Sequence, residues 1–150
     1  MLNKVVKTPC IGICSTGIGD DVCRGCKRYK HEVIQWNACS YEQKLSIEKR
    51  LSELLTTIVE HRISIDDEAV LTQQLQLQPV HLPTHRNLHC QLFELIKAGA
   101  SQIADTGAFG FSVRSPFAHL SLRQLYDDMD QEFYHLSVAH YQRYFEQYQV

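Results

Sequence analysis

The sequence predicts a mainly α protein, with a small four-cysteine metal knuckle at the N-terminus followed by a small helical bundle. Three observations carry that expectation. Two close cysteine pairs, Cys10/Cys14 and Cys23/Cys26, stand as C-x3-C-x8-C-x2-C. Apolar residues recur at spacings of three and four through most of the remainder. Ser40/Gln43 and Ser121/Gln124 both read as capping boxes that open helices. Together they divide the chain into a four-cysteine metal-binding module with two helices over 1–61 and a helical domain over 62–150. The helices of that domain are expected near 66–75, 85–104 and 121–148.

Composition bounds the reading. Hydrophobic residues make up 44% and charged residues 21% of 150, which suits a folded globular chain and excludes wholesale disorder. The net charge of -2 hides an asymmetry: residues 1–50 carry nine Lys/Arg against five Asp/Glu, and 51–150 carry six against twelve. A divalent zinc held by four thiolates leaves a formal charge of about -2, which Lys7, Arg24, Lys27, Arg28 and Lys30 can offset. Met1–Pro9 is too short and polar to serve as a signal peptide. No run approaches the roughly 20 apolar residues that span a bilayer. A cytoplasmic, reducing location is expected, with no membrane partner. In such a compartment six cysteines favour a metal site or buried thiols over disulfides.

The elements follow in order. Val5 and Val6 suit a brief strand, and Thr8-Pro9 sets extended backbone before Cys10. STGIGDDV between Cys14 and Cys23 is turn-forming, and Gly25 suits a tight knuckle in which backbone amides face thiolate sulfur. Residues 29–37 read as a short helix with Tyr29, Val33 and Trp36 on one side. The Ser40 box opens a helix to about His61, with Leu45, Ile47, Leu51, Leu54, Leu55, Ile58 and Val59 as its apolar side. Asp66 or Asp67 caps the next helix, and QLQLQP at 74–79 alternates as an extended connection cut short by Pro79. Thr84 is expected to cap a helix from His85 to Ala104, with Gly107 as its stop. Phe109, Phe111 and Val113 alternate as a short edge strand. The last helix runs to about Tyr148 on Leu122, Leu125, Met129, Phe133, Leu136, Tyr141 and Tyr144.

Four soft ligands converging on one point make a tetrahedral site, and C-x(2–4)-C pairs place two sulfurs on one turn. Cys10, Cys14, Cys23 and Cys26 are therefore the candidate metal ligands. Thiolate tetrahedra serve zinc, iron and iron–sulfur clusters alike, and the spacing matches neither common ferredoxin pattern. Pro9 to Arg50, with P-C-I-G-I-C, C-R-G-C-K-R, E-V-I-x-W and the helix start at Ser40, resembles the bacterial family called domain of unknown function 1289. Its members are often labelled predicted iron–sulfur proteins. The resemblance implies the same four cysteines as ligands, with Gly12, Gly25, Arg28, Glu32, Ile34 and Trp36 as the accompanying signature. Tyr29 stands where the family usually has Thr. The cofactor expected is one metal centre, either zinc or an iron–sulfur cluster.

The remaining chemistry is sparse. Trp36 is read as core between the knuckle and the helix that follows. Arg28 and Glu32 are read as an i,i+4 ion pair. His81, His85 and His89 recur every four residues beside Cys90, and His85 and His89 are expected on one helix face. Without a following Glu they make no hydrolase pattern, and they read as surface residues. Cys39 and Cys90 read as single thiols. No catalytic constellation stands out. The expected function is non-enzymatic metal binding by a closed four-cysteine site, serving a structural or protein-interaction role. The alternatives are an iron–sulfur redox or sensor protein and a zinc module that binds nucleic acid through its basic knuckle. A protein partner, or a second copy, is expected on the aromatic-rich C-terminal helix around Tyr126, Phe133, Tyr134, Tyr141, Tyr144, Phe145 and Tyr148.

Overall fold

A computed structural model describes residues 5–12, 14–79 and 82–146. The expected mainly helical character holds. Among these residues five α-helices span Lys30–Ile34 (α1), Tyr41–Arg62 (α2), Glu68–Gln76 (α3), Leu88–Gly99 (α4) and Leu122–Tyr141 (α5), and α5 passes into a π-helical turn at Gln142–Glu146. Two short strands, Ile63–Ile65 (β1) and Phe111–Val113 (β2), pair antiparallel, with Ile63 opposite Val113 and Ile65 opposite Phe111. The chain divides into two compact units, Met1–Glu53 with Glu132–Val150, and Leu54–Gln131.

In the first unit the helix starts are written locally. Ser40 Oγ accepts from Gln43 N at 3.1 Å and Gln43 Oε1 accepts from Ser40 N at 2.8 Å, which satisfies two amides that the first turn of α2 leaves without helical partners. Val22, Tyr29, Trp36, Ile47, Leu51 and Phe133 are buried in this unit. Trp36 is core, as its spacing implies. The Arg28 guanidinium lies 5.1 Å from its ring centroid and the Lys44 ammonium 5.4 Å. Gly12 and Gly19 take φ of 88° and 106°, a region open to glycine at little cost.

The second unit buries Leu55, Ile58, Val59, Ile63, Leu71, Leu75, Leu92, Phe93, Leu95, Ile96, Phe111, Leu125 and Met129. Asp67 caps α3 by accepting from Val70 N, and Ser121 with Gln124 forms the second reciprocal box. α3 takes in Gln74–Gln76, the first part of the QLQLQ run, because Leu71 and Leu75 lie one turn apart and bury the same side, and it ends with Leu77 as its C-cap. α4 begins three residues later than its periodicity suggests. Residues Thr84–Arg86 are spent on a turn closed by Arg86 N to Pro83 O at 2.9 Å, and Asn87 is the cap, accepting from Cys90 N at 3.1 Å. Arg62 is buried. Its Nε donates to Asp128 at 2.9 Å and its Nη1 to Ile58 O at 3.2 Å.

The four-cysteine knuckle expected at the N-terminus is not formed. Among the described residues no group of three or more His, Cys, Asp or Glu is placed to hold a metal ion. Cys10 and Cys14 occupy exposed, irregular backbone, whereas Cys23 and Cys26 are folded inward. Two pairs in such different surroundings do not converge on one point.

Candidate functional site

The turn from Cys23 to Arg28 is closed by several bonds of its own. Lys27 N donates to Cys23 O at 2.8 Å and Cys23 N to Arg28 O at 2.9 Å, so the loop is closed by crossed backbone bonds. Val22 bridges Tyr29 just outside it. Lys27 sits at φ 65°, a left-handed conformation that a non-glycine residue adopts only when its surroundings hold it there. Arg24 N donates to Ser15 Oγ at 2.8 Å and ties the turn to the 3-10 turn at Ser15–Ile18.

The two sulfurs of this turn differ in their electrostatics. Burial pushes the Cys23 thiol up, but amides of Cys26, Ser15 and Gly25 and the Cys26 side chain bond to its sulfur. They outweigh burial and leave it below the ordinary thiol value. The knuckle expected around Gly25, with amides facing sulfur, is therefore present for one thiol. For Cys26 burial wins and the thiol is raised, although Arg28 Nε donates to its Sγ at 3.2 Å. Cys10 Sγ instead accepts from Gly12 N at 3.4 Å, and Cys14 Sγ lies 3.0 Å from Thr16 Oγ1.

These positions overturn the expected cofactor. A thiolate tetrahedron needs four sulfurs at about 2.3 Å from one centre. Here Cys10 and Cys14 are engaged locally on exposed backbone, and no cluster suited to a metal exists among the described residues. Neither a closed zinc site nor an iron–sulfur centre fits this arrangement. The metal-binding function built on such a site is corrected with it.

Other expected pairings also change. Arg28 does not meet Glu32; its guanidinium is shared between Cys26 Sγ and the Trp36 ring. Glu32 takes two bonds of 2.7 Å from Arg50 and one of 2.9 Å from Tyr29 N, which makes it the end of α1's cap and the anchor of α2. Lys27 and Arg28 are buried, and Arg24 pairs with Asp20 at 3.1 Å, so this turn does not present its three cations as a free strip to phosphates. His85 lies before α4 begins and cannot share a helix face with His89. His89 instead has Nε2 3.7 Å from Glu60, beside a cavity of about 570 Å³. Cys90 is buried, with Sγ 3.6 Å from Thr56 Oγ1. His81 and Tyr148 lie outside the described residues.

The C-terminal segment forms an aromatic cluster within the first unit. The Tyr29 ring centroid lies 5.5 Å from Tyr141 and 5.4 Å from Phe145, and His31 lies 5.0 Å from Phe145. Arg24 covers Tyr134 at 4.6 Å and Lys27 covers Phe133 at 5.4 Å. Tyr144 remains 58% and Phe145 38% exposed. Among the described residues no helix is long and apolar enough to cross a membrane.

Residues 8–55 match the model of a family described as protein of unknown function (DUF1289), in agreement with the resemblance over Pro9–Arg50 and confined to about a third of the chain. No curated protein and no solved structure matches.

Proposed function

We propose that this chain is a non-catalytic, cytoplasmic recognition protein that binds another protein chain through the aromatic end of its C-terminal segment. One observation carries the reading. Tyr29 and His31 hold Phe145 in place, while Phe145 and Tyr144 keep a large share of their surface in water. Aromatic side chains fixed by packing lose little conformational entropy on binding, which is why they dominate the energetics of protein interfaces. The acidic residues of the last helix and the paired Arg24 favour a protein partner over nucleic acid.

A photo-crosslinking amino acid at position 144 tests this in growing cells. One discrete adduct, either to a defined partner or to a second copy, is expected, and Phe145→Ser should reduce its yield at least fivefold. Diffuse labelling that is insensitive to Phe145→Ser would remove the basis of the proposal.

A further inference from the structure

The failure of the two cysteine pairs to converge has its own chemical meaning. We propose that Cys23 and Cys26 form a dithiol that closes reversibly to an intramolecular disulfide by exchange with small disulfides such as glutathione disulfide.

The geometry supports this on four counts. The residues stand three apart in a turn closed by crossed backbone bonds, and their side chains are within hydrogen-bonding reach of each other. Amides of Ser15, Gly25 and Cys26 address one sulfur, and the Arg28 guanidinium addresses the other. These donors hold both sulfurs in the one turn, within reach of each other for the bond to close. Cys23 is 1% exposed and Cys26 7%, so an incoming disulfide meets Cys26 first and its partner sulfur closes the bond from inside. Cys10 and Cys14 are exposed, and the contacts of their sulfurs are made within two residues of each.

The step balances. Cys26 sulfur attacks one sulfur of glutathione disulfide, forming a mixed disulfide and releasing the first glutathione. Cys23 sulfur then attacks Cys26 sulfur, forming the intramolecular S–S bond and releasing the second. Two electrons pass from the dithiol to the glutathione disulfide, and the two thiol protons leave with the two glutathiones.

The turn carries its own reporter. The chain has one tryptophan, and the guanidinium that binds Cys26 Sγ also covers the Trp36 ring. Closing the disulfide alters the sulfur that accepts from Arg28 and should change Trp36 emission.

The test equilibrates the folded full-length protein in glutathione buffers of graded ratio, with free thiols counted, disulfides mapped by mass spectrometry and Trp36 emission recorded. A Cys23–Cys26 disulfide is expected, with loss of two thiols and an emission change that shares one midpoint with it. The Cys10→Ser/Cys14→Ser double variant should keep both the midpoint and the emission change. Cys26→Ser should lose them. The double variant alters no buried sulfur, so the test survives if Cys26→Ser does not fold. No Cys23–Cys26 disulfide at any ratio, or oxidation only at Cys10 and Cys14, would overturn the proposal. So would an emission change that persists in a folded Cys26→Ser.

Discussion

Replacing Glu32 with Gln keeps the shape of the side chain and removes its charge, which isolates the Glu32–Arg50 interaction. Glu32 is buried, accepts from Tyr29 N at 2.9 Å and takes both Arg50 Nη groups at 2.7 Å. Burial would depress the Arg50 pKa, yet the bonds and charge of Glu32 overcome it and raise the guanidinium above its ordinary value. The pair is therefore favourable despite its desolvation. A hydrogen bond to a charged group contributes about 1.5–3 kcal/mol, and removing one partner of a fully buried pair costs about 3–5 kcal/mol. The Arg50 side chain is 29% exposed, so water takes up part of the orphaned charge and about 2–3 kcal/mol is the expected loss. Arg50→Met should cost a similar amount, because it also removes the guanidinium 4.0 Å from the Tyr29 ring centroid. The double variant should lose less than the sum, with a coupling of about 1–2 kcal/mol. Urea unfolding read by Trp36 emission is the suitable assay. Trp36 lies in the same compact unit as both residues, whereas a far-ultraviolet signal would average two units that need not unfold together. A coupling below about 0.5 kcal/mol would refute the reasoning.

Two further outcomes follow from other parts of the fold. Gly110→Ala should destabilise the second unit by about 2–4 kcal/mol, because φ is +79° and a Cβ would meet Asp67 O at 2.4 Å; a loss under about 1 kcal/mol in thermal unfolding would contradict this. Tyr29 and Tyr126 should ionise later than ordinary tyrosines. Burial leads in both, opposed by Arg50 at Tyr29 and reinforced by Asp130 and Glu94 at Tyr126. A phenol whose folded pKa is raised contributes stability that is fully present below the unfolded value of 10.0 and is lost as pH climbs from there toward the folded value. Near-ultraviolet phenolate titration should show a late step that Tyr126→Phe reduces, and alkaline unfolding should set in above pH 10.0. A late step untouched by Tyr126→Phe would count against the assignment.

Some of this structure was determined by the sequence alone, because it depends on bonds between near neighbours. The boxes at Ser40/Gln43 and Ser121/Gln124 and the cap at Asp67 close over three residues, and α2 and the buried side of α5 follow from their periodicity. Local bonding also signals the amide-lined turn at Gly25. Tertiary structure decided everything that depends on where distant segments return. The i,i+4 rule pairs Glu32 with Arg28, but Arg50 arrives eighteen residues later with a two-pronged donor and displaces it. Ile63–Ile65 is too short to carry a periodic signal, and it becomes a strand only where Phe111–Val113 pairs with it. Thr84 looks like a cap until Pro83 and Arg86 close a turn and hand the role to Asn87. The cysteines illustrate the same division. Spacing places Cys23 and Cys26 on one turn, but whether Cys10 and Cys14 join them depends on the path of the eight residues between the pairs. That path leaves one pair exposed and folds the other inward.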